Sequence, residues 1–105
     1  MAIVFTGLNS FLQAQQPVAL KPRQPNWRFE VVQTHPQGNP HVIVFYEPLV
    51  DGESAVKQVV FHENGKIQME TDLAVIEAEA LPHGARVEFS PTGNLLKTAV
   101  YQYGV

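Results

Sequence analysis

Cysteine is absent from this chain. That excludes disulfides, thiolate nucleophiles and cysteine-bound zinc or iron–sulfur sites, and it is compatible with a reducing cytosol. Charge is scarce too. Asp, Glu, Lys and Arg make up 16% of the residues and leave a net charge of −3 with a pI near 5.7. A domain of that sign lacks the electrostatic footprint of a nucleic-acid binder. No apolar run approaches the roughly 18 residues of a transmembrane helix. The start, MAIVFTGLNSF, has no basic region ahead of its apolar segment, which argues against a secretory signal. The expectation is a cytoplasmic protein with no membrane association.

What is present reads as globular. The 105 residues suit a single domain, 1–105, and 45% of them are hydrophobic. The most specific stretch is 56–73, VKQVVFHENGKIQMETDL, where two runs rich in β-formers flank Asn64-Gly65. Asn-Gly is the dipeptide that best tolerates the two positive φ angles of a type I′ hairpin turn. Counting outward from that turn sets Glu63 opposite Lys66, His62 opposite Ile67 and Phe61 opposite Gln68. Val60 then faces Met69, Val59 faces Glu70, Gln58 faces Thr71, Lys57 faces Asp72 and Val56 faces Leu73. One face collects Val56, Val60, Ile67, Met69 and Leu73, and the other carries the pairs Glu63–Lys66 and Lys57–Asp72.

The rest of the chain supplies further short strands. Ala2–Thr6 reads as a strand, and Ser10-Phe-Leu-Gln13 fits a capping box for one or two helical turns running to about Gln16. Val18–Leu20 is a short apolar piece, after which Pro22 and Pro25 enforce an extended connection. Residues 27–34 alternate Trp27, Phe29 and Val31 against Arg28, Glu30 and Val32, the pattern of a strand with one buried face. His35–Pro40 is turn chemistry. His41–Tyr46 is apolar on both faces, as expected in the middle of a packed sheet. Residues 74–81 have helix-forming composition but strand periodicity, with a bulge or bend near Leu73–Val75; strand is preferred. Pro82-His-Gly84 reads as a turn, and 85–90 and 95–103 as a closing hairpin around Pro91-Thr-Gly93 with a G1 bulge. The predicted fold is mainly β: one antiparallel roll, barrel or sandwich of about six to eight strands, with at most one short N-terminal helix.

Residues 61–70, FHENGKIQME, resemble one unit of the MORN-like hairpin repeats, and 89–98, FSPTGNLLKT, a degraded second unit. Gly65 and Gly93 lie 28 apart. No third unit is visible at that spacing, and repeat proteins generally need at least three. The likeness is therefore read as hairpin physics and not as kinship.

Candidate chemistry is sparse. The four histidines, His35, His41, His62 and His83, lack H-x-H or H-x-x-x-H spacing, so no metal site is expected. Glu77 and Glu79 would share a strand face about 7 Å apart, but alternating glutamates also describe a solvated face. With no nucleophile motif and no phosphate loop, neither catalysis nor a cofactor is expected. Lys21, Arg23, Trp27 and Arg28 interleave positive charge with an aromatic ring, a combination able to stack a base or hold a phosphate. The tail LLKTAVYQYGV ends on Tyr101, Tyr103 and Val105, residues suited to an interface.

The sequence thus points to a non-catalytic interaction or assembly module binding another protein or itself as a homo-oligomer. The alternative is a barrel binding a small molecule or single-stranded nucleic acid through Lys21–Arg28.

Overall fold

The computed structural model describes residues 19–105. The strand predicted at Ala2–Thr6 and the short helix predicted from Ser10 lie outside the described residues. Six strands follow: β1 (Arg28–Thr34), β2 (Pro40–Leu49), β3 (Gly52–Phe61), β4 (Ile67–Ile76), β5 (Glu79–Phe89) and β6 (Leu95–Tyr101). They form one antiparallel sheet in the order β1-β2-β3-β4-β5-β6, so every connection is a hairpin. The fold is mainly β as expected, but among the described residues the sheet stays open: β1 and β6 are its two edges, and it closes into no barrel.

The central hairpin keeps the register counted from the sequence over its outer part. Lys57 pairs with Asp72, Gln58 with Thr71, Val59 with Glu70 and Val60 with Met69. Next to the loop it does not. Phe61 stands opposite Ile67, one step out of the counted register. The reason is the turn. His62 N–H donates to Lys66 O at 2.8 Å and Gly65 N–H to His62 O at 3.0 Å, with Gly65 at φ +89°. This is a three-residue loop closed by a left-handed glycine, not a two-residue I′ turn. Residues directly opposite share a face, so Ile67 leaves the Val60–Met69 face for that of Phe61. Glu63 and Lys66 are loop residues and make no ion pair with each other.

The same loop occurs three times. His35 N–H bonds Asn39 O and Gly38 N–H bonds His35 O; Ser90 N–H bonds Asn94 O and Gly93 N–H bonds Ser90 O. Gly38 and Gly93 sit at φ +99° and +95°. Gly38 precedes Gly65 by 27 residues, so a third hairpin unit does exist near the 28-residue spacing. All three loops lie at one end of the sheet.

The opposite end differs from expectation. The β4–β5 turn is Glu77-Ala78, at φ +52° and +70°, between paired Ile76 and Glu79. It is a two-residue I′ turn without glycine, and it separates Glu77 from Glu79 instead of leaving them on one strand face. Pro82-His-Gly84 is not a turn but lies within β5. Proline, lacking an N–H, sits there beside a register shift between Thr71 and Leu73. That shift is the bend expected near Leu73.

Two other expectations change. β1 has no buried face among the described residues, because it is an edge strand, with Phe29 58% exposed. β2 is not central but second from the edge, half-buried over His41–Tyr46. The core sits on β3, β4 and β5. Val59, Ala85 and Val87 are buried on the face that carries Lys57, while Val56, Thr71 and Leu73 are buried on the other.

Candidate functional site

Lys57, the residue that alternation places opposite Asp72, is the least expected member of this core. Its side chain is 0% exposed, and its Nζ donates to Glu70 Oε2 at 2.7 Å and to Asp72 Oδ1 at 2.8 Å. Lysine with its long apolar stem is almost never fully buried unless paired. Here it is paired twice. The face with the charges, which the sequence pattern suggested as the less apolar one, is thus at least as buried as its opposite.

The lead-in before β1 completes the cluster. Residues 19–24 cross the Lys57 face, and a turn at Pro25-Asn26, closed by Trp27 N–H to Gln24 O at 3.1 Å, leads into β1, so the extended connection expected through Pro25 ends there. Lys21 N–H donates to Asp72 Oδ2 at 2.8 Å, and Arg23 donates to Glu70 Oε1 at 3.1 Å. Arg23 also lies 5.2 Å from the ring centroid of Phe45, against which Trp27 packs at 6.2 Å. Two cations, Lys57 and Arg23, therefore balance two carboxylates, Glu70 and Asp72. Each carboxylate oxygen has one donor, and no buried polar side-chain atom among the described residues lacks a partner.

The four residues proposed as a binding segment do not converge. Lys21 meets the acidic cluster through its main-chain N–H and Arg23 through its guanidinium, while Trp27 packs on Phe45. Arg28 points to the opposite face, where it forms a bidentate pair with Glu53, both contacts at 2.8 Å, above the ring of Tyr46. That hydrogen-bonded pairing raises the Arg28 pKa and holds the Glu53 carboxyl below its ordinary value. Of the basic stretch, Arg23 thus pairs with the acidic run at 70–72 and Arg28 with Glu53, both within the molecule. No group of His, Asp and Glu among the described residues has the geometry of a metal site.

The three tail residues separate as well. Tyr101 lies under Arg86, whose guanidinium is 4.8 Å from its ring and 3.3 Å from its hydroxyl. Tyr103 stacks on His83 at 4.2 Å, and Gly104 N–H bonds Pro82 O, folding the tail back on β5. Val105 is exposed.

The sequence reading missed a ladder of side chains linking the three loops. His35 Nε2 bonds Phe61 O and His62 Nε2 bonds Phe89 O, each at 2.9 Å. In both cases the acceptor is the residue just before the next loop. Two residues further along on both sides, Gln37 reaches Glu63 O at 3.4 Å and Asn64 reaches Pro91 O at 2.8 Å. The third loop has Ser90 and Thr92 at these places, and they bond each other instead, at 2.9 Å. The signal was available: His35 and His62 each stand three residues before a repeat glycine.

Comparison with known proteins yields no matching family model, no similar curated protein and no similar solved structure.

Proposed function

We propose that the chain is a non-catalytic assembly module that extends its sheet at β6, first of all with a second copy of itself. The observation that carries this reading is the contrast between the two edges. β1 pairs with β2 through two register shifts and alternates Arg28 and Glu30 with its apolar residues, both of which blunt an edge against pairing. β6 is regular from Lys97 to Tyr101 against Glu88 to Gly84, with its one register shift beside the loop. It presents Leu95, Leu96 and Val100 at 56%, 65% and 68% exposure with one charge, Lys97.

The edge is also self-complementary. A two-fold axis at Thr98 sets Leu96 against Val100, Leu95 against Tyr101 and Lys97 against Ala99. No like charges meet, and apolar side chains face each other on both sides of the axis.

Light scattering behind a sizing column, at low and high salt, tests the reading. The expected result is a dimer at micromolar concentration in both buffers. The double variant L96K/V100K, which sets lysine opposite lysine in that register, is expected to be a folded monomer. A wild-type species of 11.7 kDa in both buffers refutes the proposal. A dimer lost only at high salt moves the contact to the charged segments.

A further inference from the structure

The buried Lys57 cluster has more parts than an ion pair requires. Lys57 Nζ lies 2.8 Å from Asp72 Oδ1 and 2.7 Å from Glu70 Oε2, at 0% side-chain exposure. The other Asp72 oxygen, Oδ2, accepts the main-chain N–H of Lys21 at 2.8 Å. The other Glu70 oxygen, Oε1, is held by Arg23 at 3.1 Å. A nucleophile, a carboxyl, a proton carrier and a donor facing the carboxyl's second oxygen are therefore assembled around Lys57 and Asp72, whose side chains are 0% and 3% exposed. These are the groups that acyl transfer to an amine needs. Holding the reactants in this geometry removes the entropic cost that makes amide formation slow between free side chains.

We propose that Lys57 and Asp72 condense to a side-chain amide joining β3 to β4. Glu70 takes one proton from the ammonium and passes it to Asp72 Oδ1, and the freed Nζ attacks Cγ of the neutral carboxyl. A C–N bond forms as negative charge develops on Oδ2, opposite the Lys21 N–H. The C–Oδ1 bond then breaks. Oδ1 leaves as water, carrying the proton returned by Glu70 and a second one from the nitrogen. Ammonium plus carboxylate become amide plus water; nothing is oxidised or reduced, and Glu70 ends ionised as it began. The reaction removes one buried cation and one buried anion together. Arg23 and Glu70 remain as a balanced pair, and the desolvation of Lys57 and Asp72 as ions is relieved. Exclusion of water at Lys57 protects the product from hydrolysis.

Intact mass spectrometry of the purified full-length chain, denatured before injection, tests this. The expected mass is the sequence mass less one water. In a tryptic digest, cleavage after Lys57 should fail, and tandem spectra should place the link between Lys57 and Asp72. The D72A variant is expected to carry the full sequence mass. An unreacted mass for the wild-type chain overturns the proposal. So does water loss that persists in D72A or maps to Asp51-Gly52, where a backbone imide of the same mass can form.

Discussion

The ladder between loops makes a quantitative prediction that the individual loops do not. In His62→Ala, the Phe89 carbonyl loses its 2.9 Å donor and the β3–β4 loop loses one of its two ties to the β5–β6 loop, the bond from Asn64 to Pro91 O remaining. A neutral hydrogen bond contributes about 0.5–1.5 kcal/mol net, and stranding a part-buried acceptor raises the loss toward about 2 kcal/mol. For a domain of this size each kcal/mol lowers Tm by roughly 4–8 °C. His35→Ala removes the equivalent bond to Phe61 and should cost a similar amount. Ser90→Ala supplies the contrast. Ser90 stands at the same repeat position, but its hydroxyl bonds only within its own loop, to Thr92 Oγ1 and Asn94 N. It should cost less than either histidine. Because His35 and His62 act on different loop junctions, their double substitution should be additive to within about 0.5 kcal/mol. Urea denaturation of the four variants decides the matter. If both histidine substitutions are silent, or if Ser90→Ala costs as much as they do, the loops are independent and the ladder carries no energy.

Gly65→Val should destabilise by about 1–3 kcal/mol in the same melts. Nothing lies within 4 Å of the added Cβ, so the whole effect is backbone strain at φ +89°, and an unchanged midpoint would refute the loop geometry. Lys57→Met, which cannot form the amide, leaves the buried carboxylates of Glu70 and Asp72 without their cation, and relative to the chain before condensation that should cost about 3–5 kcal/mol. Adding E70Q and D72N to it should recover part of the loss, and no recovery would mean that the stem of Lys57, not its charge, is what matters. The Arg28–Glu53 pair sets a pH dependence. Glu53 is held below its ordinary pKa of 4.5 by its hydrogen bonds to Arg28, so its contribution is fully present above that value and disappears as pH falls through the lowered folded one. The stability gap between wild type and Glu53→Gln should therefore close on acidification, and a gap that widens would contradict the pairing.

Much of the sheet was legible because strand alternation and turn chemistry are local. Residues 57–60 and 69–72 pair as counted, and the Pro91-Thr-Gly93 loop has the bulge its residues specify. The register error near the central loop has a local cause: the sequence allowed two turn geometries of different length. Asn64-Gly65 is compatible with both a two-residue and a three-residue loop, and the choice moves Ile67 to the other face. Glu77-Ala78 carries no turn signal, since a tight I′ turn without glycine is normally disfavoured by its positive φ angles. Pro82-His-Gly84, four residues further on, looked like the stronger punctuation and lies within a strand. The buried cluster was half legible. Alternation put Lys57 beside Asp72, but nothing local indicated that the lead-in would cross that face and bring Arg23 to Glu70, 47 residues away.

The end of the ladder bears on how copies of this chain would associate. A head-to-tail array, with β1 of one copy added to β6 of the next, would continue the hairpin series. It would need the third loop to donate to the carbonyl before the next copy's first loop, as His35 and His62 do within the chain. Ser90 is too short to make that reach, and its hydroxyl is already bonded to Thr92. The bulges of β1 oppose the same contact from the other side. Pairing β6 with β6 about a two-fold axis makes no such demand, because antiparallel partners carry their loops at opposite ends. A heterologous contact that does not close gives fibres, whereas an isologous one stops at two. If copies pair through β6 as proposed, serine in place of histidine in the last unit removes the side-chain contact that unlimited addition would use. Restoring it gives a direct test: Ser90→His should leave the monomer fold intact and add a light-scattering population larger than a dimer, and a size distribution identical to wild type would show that the ladder plays no part in limiting assembly.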